Sequence, residues 1–175
     1  MLAKRLLLII MFLIVFSGTA HAQRDFYFFG VNPKMIKEAD WKMVALGAAT
    51  SVAVHTAGHY LYAAANDIHV RQDGFKEMIS TRENSAREIR EFAQAGFALQ
   101  HAVGLALTTI PATRQTDFTR GYVVAAFAET VSYPILHQQQ GDLITSDRYG
   151  GNRDLEYIGY MAVATHNLFR VKFYK

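Results

Sequence analysis

The stretch 43–65, "MVALGAATSVAVHTAGHYLYAAA", sets how the rest of the chain is read, because it holds no Asp, Glu, Lys or Arg. Ala, Val, Gly and Leu are interrupted by Thr, Ser, His and Tyr only after the opening Met43. The pattern predicts a helix that starts near Met35 and runs from Trp41 to about Ala65. A helix of that length reaches across a bilayer, which takes roughly 20 predominantly apolar residues. Trp41 and Lys42 at its head suit a membrane interface. Its small residues favour close contact with other helices over contact with lipid.

Outward from this helix, residues 68–70 and 75–79 flank "RQDG", and Asp73-Gly74 is a hairpin turn signal. A short β-hairpin is therefore expected after the first helix. Ser85, followed three residues later by Glu88, forms a capping box that opens a second helix. That helix continues through the uncharged residues 92–110 and stops at Pro111. Gly96, Gln100 and Gly104 recur along it on one narrow face suited to close packing. Thr116 or Asp117 caps a third span-like helix, with Glu129 near its middle and Pro134 positioned to kink it. Residues 141–154, "GDLITSDRYGGNRD", read as a loop with three glycines. A last, shorter helix ends basic, with Arg170, Lys172 and Lys175 among Phe169, Phe173 and Tyr174. The expected fold class is mainly α: four long apolar helices forming a membrane-embedded bundle, with a short β-hairpin after the first. A soluble exported bundle is the alternative, kept open by a mean hydropathy of only +0.05.

Residues 1–22 begin with Lys4 and Arg5, continue with an apolar run from Leu6 to about Phe16, and end on Ala20-His21-Ala22. That is the pattern of a secretory signal peptide cut after Ala22. The alternative is an uncleaved anchor, for which the apolar run is short. Residues 23–40, with Phe26, Tyr27, Phe28 and Phe29 beside Arg24 and Lys34, read as an interfacial or extended segment. Residues 41–175 read as a single helical domain, as a chain of 175 residues suggests. The address is the cell envelope, in its membrane or, in the alternative, periplasmic or secreted.

Apolar residues make up 51% of the chain and charged ones 19%, the apolar edge for a soluble domain. Membrane lipid is accordingly an expected partner. The net charge of +3 includes Lys4 and Arg5 of the leader. No basic stripe with interleaved aromatics is present, so nucleic acid is not expected. The absence of cysteine excludes disulfides, thiolate ligands, a cysteine nucleophile, iron–sulfur clusters and covalently attached haem. No Gly-x-Ser-x-Gly elbow and no phosphate-cradling glycine loop occurs.

His55 and His59 stand one helical turn apart, so their imidazoles share a face and can bind one metal ion together. Imidazole donors suit zinc, nickel, copper or iron. Two core histidines, each hydrogen-bonded to a neighbouring helix, is the alternative. His101 and His166 lie in other apolar helices, and Glu129 is the only acid between Phe118 and Gln140. A buried glutamate is costly unless protonated, hydrogen-bonded or bound to a metal. Glu129 is therefore either a functional acid or the partner of His101 or Gln100. Inward-facing His and carboxylate side chains are how helical bundles assemble metal sites.

The order "HTAGHYLYAAA", "DIHVRQDGFKEMIS", "AGFALQHAVGLAL" resembles the site-2-protease type of membrane-embedded zinc metalloprotease over residues 55–142. In that family a spanning helix carries His-Glu-x-x-His, a small β element follows, and a Gly-rich helix comes next. A third spanning helix then leads to an Asp-Gly motif that supplies the last ligand. The resemblance implies a zinc ion held by His55, His59 and Asp142, and pairs Ala95-Gly96 with the small residues that open the second helix. Two departures stand out. Thr56 occupies the place of the catalytic glutamate, and Asp142 is preceded by glycine instead of followed by it, further from Pro134 than the family pattern has it. Thr does not ionise at usable pH, so it cannot serve as the proton acceptor of zinc hydrolysis. The resemblance then implies a non-peptidase descendant or a base supplied from elsewhere, for which Glu129 is the candidate catalytic residue.

Two functions follow. The first is an envelope membrane protein with a His-based metal site, an atypical or inactive relative of zinc metalloproteases; if an enzyme, it is a metal-dependent hydrolase. The second is a non-enzymatic exported helical bundle, structural or binding metal or haem. In either, His55, His59, Asp142, His101 and His166 are the candidate ligands.

Overall fold

Asp40 opens the first helix because its carboxylate accepts from the otherwise unsatisfied amides of Lys42 and Met43, at 3.1 and 3.3 Å. The computed structural model describes residues 38–73, 76–80, 82–136 and 141–171. The proposed signal peptide, most of the interfacial segment and the basic terminus at 172–175 lie outside them. Within the unit Asp40–Val171, the order of elements is α1 (Trp41–Ala65), β1 (Val70–Asp73), β2 (Lys76–Ile79), α2 (Ala86–Thr109), α3 (Pro111–Arg114), α4 (Asp117–Leu136), α5 (Asp142–Arg148) and α6 (Arg153–Arg170). The mainly helical class and the four long helices agree with the sequence reading.

The boundaries have local causes. The Ser85–Glu88 capping box is complete, each side chain reaching the other's backbone amide. Pro111 lacks the amide that would continue α2, and instead begins the short α3. Thr116 Oγ1 accepts from the Thr119 amide at 3.2 Å and so starts α4. The hairpin forms in antiparallel register with Asp73 opposite Lys76, so Asp73 ends a strand instead of sitting in the turn. The expected loop at 141–154 is partly helical. Gly141 has φ 127°, a conformation L side chains avoid, and turns the chain into α5, whose Leu143 is buried against Phe97 and Tyr133.

α1 packs against α4 and α2, α6 covers α4 and α2, and α5 lies on α2. Glycines let α1 and α4 approach backbone to backbone: a Cβ on Gly47 would strike the Phe118 carbonyl, and one on Gly121 the Val44 carbonyl. The interior of α1 is small and polar (Gly47, Ser51, Gly58, His59 and Ala63), while Trp41, Leu46, Val52 and Leu61 point outward.

The expectation of bilayer-crossing helices is not met. No helix among the described residues is long and apolar enough to cross a membrane. The histidines, hydroxyls, tyrosines and glycines of α1 dilute its aliphatic residues, and counting missing charges overestimates its hydropathy.

Candidate metal centre

Ser51, His55 and His59 recur at four-residue spacing on the inward face of α1, so three polar side chains look toward α2, α4 and α5. One of the two histidines is fixed by a hydrogen bond from behind. His59 Nδ1 lies 2.8 Å from the Phe92 carbonyl oxygen. A carbonyl only accepts, so Nδ1 carries the proton and donates it, and Nε2 of the neutral ring is left with a bare lone pair. His55 Nδ1 faces Glu129 Oε1 at 3.5 Å without a hydrogen bond, and its Nε2 points the other way.

Both Nε2 atoms thus converge, 3.3 Å apart. The N-terminal turn of α5 adds Asp142, whose Oδ2 lies 3.0 Å from His55 Nε2 and 3.5 Å from His59 Nε2. Three acceptors facing one another at these distances repel unless a proton or a cation sits among them. His55, His59 and Asp142 form a group that can hold a metal ion. Gly96 supplies the room: a Cβ there would stand 2.5 Å from His59 Nε2 and 2.7 Å from His55 Nε2, in the space beside both nitrogens.

Without a metal, the electrostatics favour the proton. Burial works against a charged His55, but the hydrogen bond and charge of Asp142, with Glu129 behind, outweigh it and hold the His55 pKa above its usual value. Burial likewise opposes ionisation of Asp142, yet the hydrogen bond with His55 and the positive charge shared by the two histidines pull its carboxyl down to about 2. The centre is unevenly buried. His59 is 3% exposed, whereas Asp142 keeps 25% of its side chain accessible.

Glu129 is not at the ligand face. Its Oε1 lies on the Nδ1 edge of His55, and its Oε2 accepts from Gln100 Nε2 at 2.8 Å. The same Gln100 amide donates to Ser51 Oγ at 2.9 Å. Glu129 therefore stands behind a ligand instead of beside the position where a proton acceptor would work. His101 is also elsewhere. Thr130 Oγ1 donates to the Ala126 carbonyl at 2.8 Å, so it accepts from His101 Nε2–H at 3.2 Å. Burial, aided by the charge of His55, pushes the His101 pKa down to about 4. His166 is exposed on α6. Neither histidine joins the triad. Ser51 and the Phe92 carbonyl escaped the sequence reading, although the Ser51–His55–His59 spacing carries a signal for the first.

Comparison with family models, with curated proteins and with solved structures finds no match.

Proposed function

We propose that this chain is a cell-envelope protein that binds one divalent transition metal, zinc by its donor set, through His55, His59 and Asp142. The observation that carries this reading is the convergence of two histidine Nε2 atoms and one carboxylate oxygen, with His59 Nδ1 bonded to the Phe92 carbonyl behind it. Ligand atoms about 2.0–2.1 Å from a tetrahedral zinc stand roughly 3.3 Å apart. The three separations of 3.0, 3.3 and 3.5 Å bracket that value. Two imidazoles and one carboxylate are also the ligand set of zinc sites that keep a fourth position open.

The haem alternative loses support on the same measurement. Two axial imidazoles flank a haem from opposite faces, and a 3.3 Å gap between His55 and His59 Nε2 has no room for the macrocycle.

We read the centre as a metal-binding relative of site-2-protease-like enzymes without their peptidase chemistry. Thr56 replaces the base, and Glu129 is behind His55. Within this reading the zinc supplies Lewis acidity at its open position. Glu129 and the Phe92 carbonyl orient the two histidines, Gln100 and Ser51 hold Glu129, and Phe97 and Phe92 pack on the rings of His55 and His59 with centroids at 4.8 and 4.9 Å.

Metal analysis of purified protein beside His55→Ala and His59→Ala is the test. One equivalent of zinc in the parent and none in either variant is expected; unchanged metal content in both variants would sink the reading.

A further inference from the structure

Away from the metal triad, α2 and α6 line an open cleft of about 450 Å³, within the usual range for small-molecule sites. Its walls include Leu105 and Val163, and Glu156, His101 and Tyr160 also line it. Glu156 is held asymmetrically. Its Oε1 accepts from Gln94 Nε2 at 2.7 Å, Ser146 Oγ at 2.8 Å and the Asn152 amide at 3.2 Å. Its Oε2 is buried and has no hydrogen-bond partner among the described residues. His101 adds a second such atom. With Nε2–H given to Thr130, its buried Nδ1 is an unpartnered acceptor.

Both unmatched atoms are acceptors, one of them on a carboxylate locked in place by three donors. An acceptor withdrawn from water without a donor is costly, and a ligand that brings the donor recovers that cost. The ring of Tyr160 suits a cation as well, and the aliphatic walls suit a hydrocarbon body. An anion would be repelled by the Glu156 carboxylate.

We propose that the α2–α6 cleft is a binding site for a small organic cation with an apolar tail, an aliphatic primary amine, anchored on Glu156 with His101 as second acceptor. None of the three metal-ligand residues lines the cleft. Its outer wall is open at Gly159, where an added Cβ meets nothing within 4 Å, so a larger side chain can be introduced there without disturbing the fold.

The test is an NMR titration of the purified full chain with n-butylammonium, following the His101 ring nitrogens, with 1-butanol and butyrate as neutral and anionic counterparts. Saturable binding of the amine is expected, with a shift of the His101 Nδ1 resonance. Binding should be at least tenfold weaker to Glu156→Gln, where Oε2 gives way to an amide, and to Gly159→Leu, which fills the cleft. Should Glu156→Gln fail to fold, Gly159→Leu alone decides. The proposal is overturned by no saturable binding to the parent, by equal affinity for 1-butanol or butyrate, or by unchanged affinity in Gly159→Leu.

Discussion

The smallest decisive feature is a hydrogen atom in place of a methyl group. A Cβ at Gly96 would stand 2.5 and 2.7 Å from the two histidine Nε2 atoms. Gly96→Ala should therefore abolish zinc uptake while α2, in which alanine is the better helix former, persists by circular dichroism. Full zinc occupancy in that variant would show that the ion sits elsewhere. Glu129→Gln keeps the shape behind His55 but removes the charge, and orienting partners of this kind are worth roughly 10- to 100-fold in metal affinity. A chelator competition should read that loss, with the stoichiometry unchanged. The metal-free centre also has a pH signature. His55 is raised above 6.5 in the folded protein, so its contribution is complete below about pH 6.5 and disappears as pH rises through the raised value. Asp142 is lowered from 3.8 to about 2, so its contribution is present above about pH 4 and vanishes toward pH 2. In EDTA the melting temperature should fall from about pH 6 to pH 8; with saturating zinc, whose ligands must be deprotonated, it should rise over the same range. Parallel profiles would argue against a shared proton and metal position. At this scale the histidine pair was legible, because its spacing is local. The side of His55 that Glu129 faces was not, since it depends on how α4 is turned against α1.

Among the elements, α5 decides whether the triad exists. Its seven residues carry too little periodicity to stand out from a glycine-punctuated loop. What makes them helical is tertiary: Leu143 is buried against Phe97 and Tyr133, Leu143 N–H donates to Tyr133 Oη at 3.1 Å, and Ser146 donates to Glu156 at 2.8 Å. The long helices were readable because their caps and terminators lie within a few residues of their ends: Ser85 with Glu88, Pro111 and Thr116. Asp142 could be named only through a family resemblance, because no local pattern ties it to histidines more than eighty residues upstream. The hinge for this element is Gly141 at φ 127°. Gly141→Ala forces an L side chain into that region at roughly 1–2 kcal/mol. The mutation touches no ligand, yet it should weaken zinc binding measurably by competition, with the melting temperature of the metal-free protein lowered only modestly. Unaltered affinity would mean that Asp142 is dispensable.

Across the described residues, a hydrophobic core around Phe97, Tyr133 and Leu143 is accompanied by a set of buried polar side chains. Ser51, His59, Gln100, His101, Thr108, Thr130 and Asn167 are buried, while Trp41, Leu46, Val52, Leu61, Leu105, Val124, Leu155, Ile158 and Phe169 are exposed. Residues of the first set bond across helices: Gln100 to Ser51 at 2.9 Å, Thr108 to Asn167 at 3.2 Å and Thr130 to His101 at 3.2 Å. The sequence reading reached for membrane spans on the same composition, and the helices prove too diluted by small and polar residues to meet that description. A lipid contact does not require a span. We expect the outward residues of α1 to lie against lipid, consistent with an envelope address. The chain should float with phosphatidylglycerol-containing vesicles on a density gradient. Replacing Leu46, Val52 and Leu61 together by Gln should leave the chain at the bottom while its zinc content stays the same, because none of the three faces the triad. A triple variant that still floats, or a parent chain that never does, would reject lipid as the partner of this face and leave the metal centre unaffected.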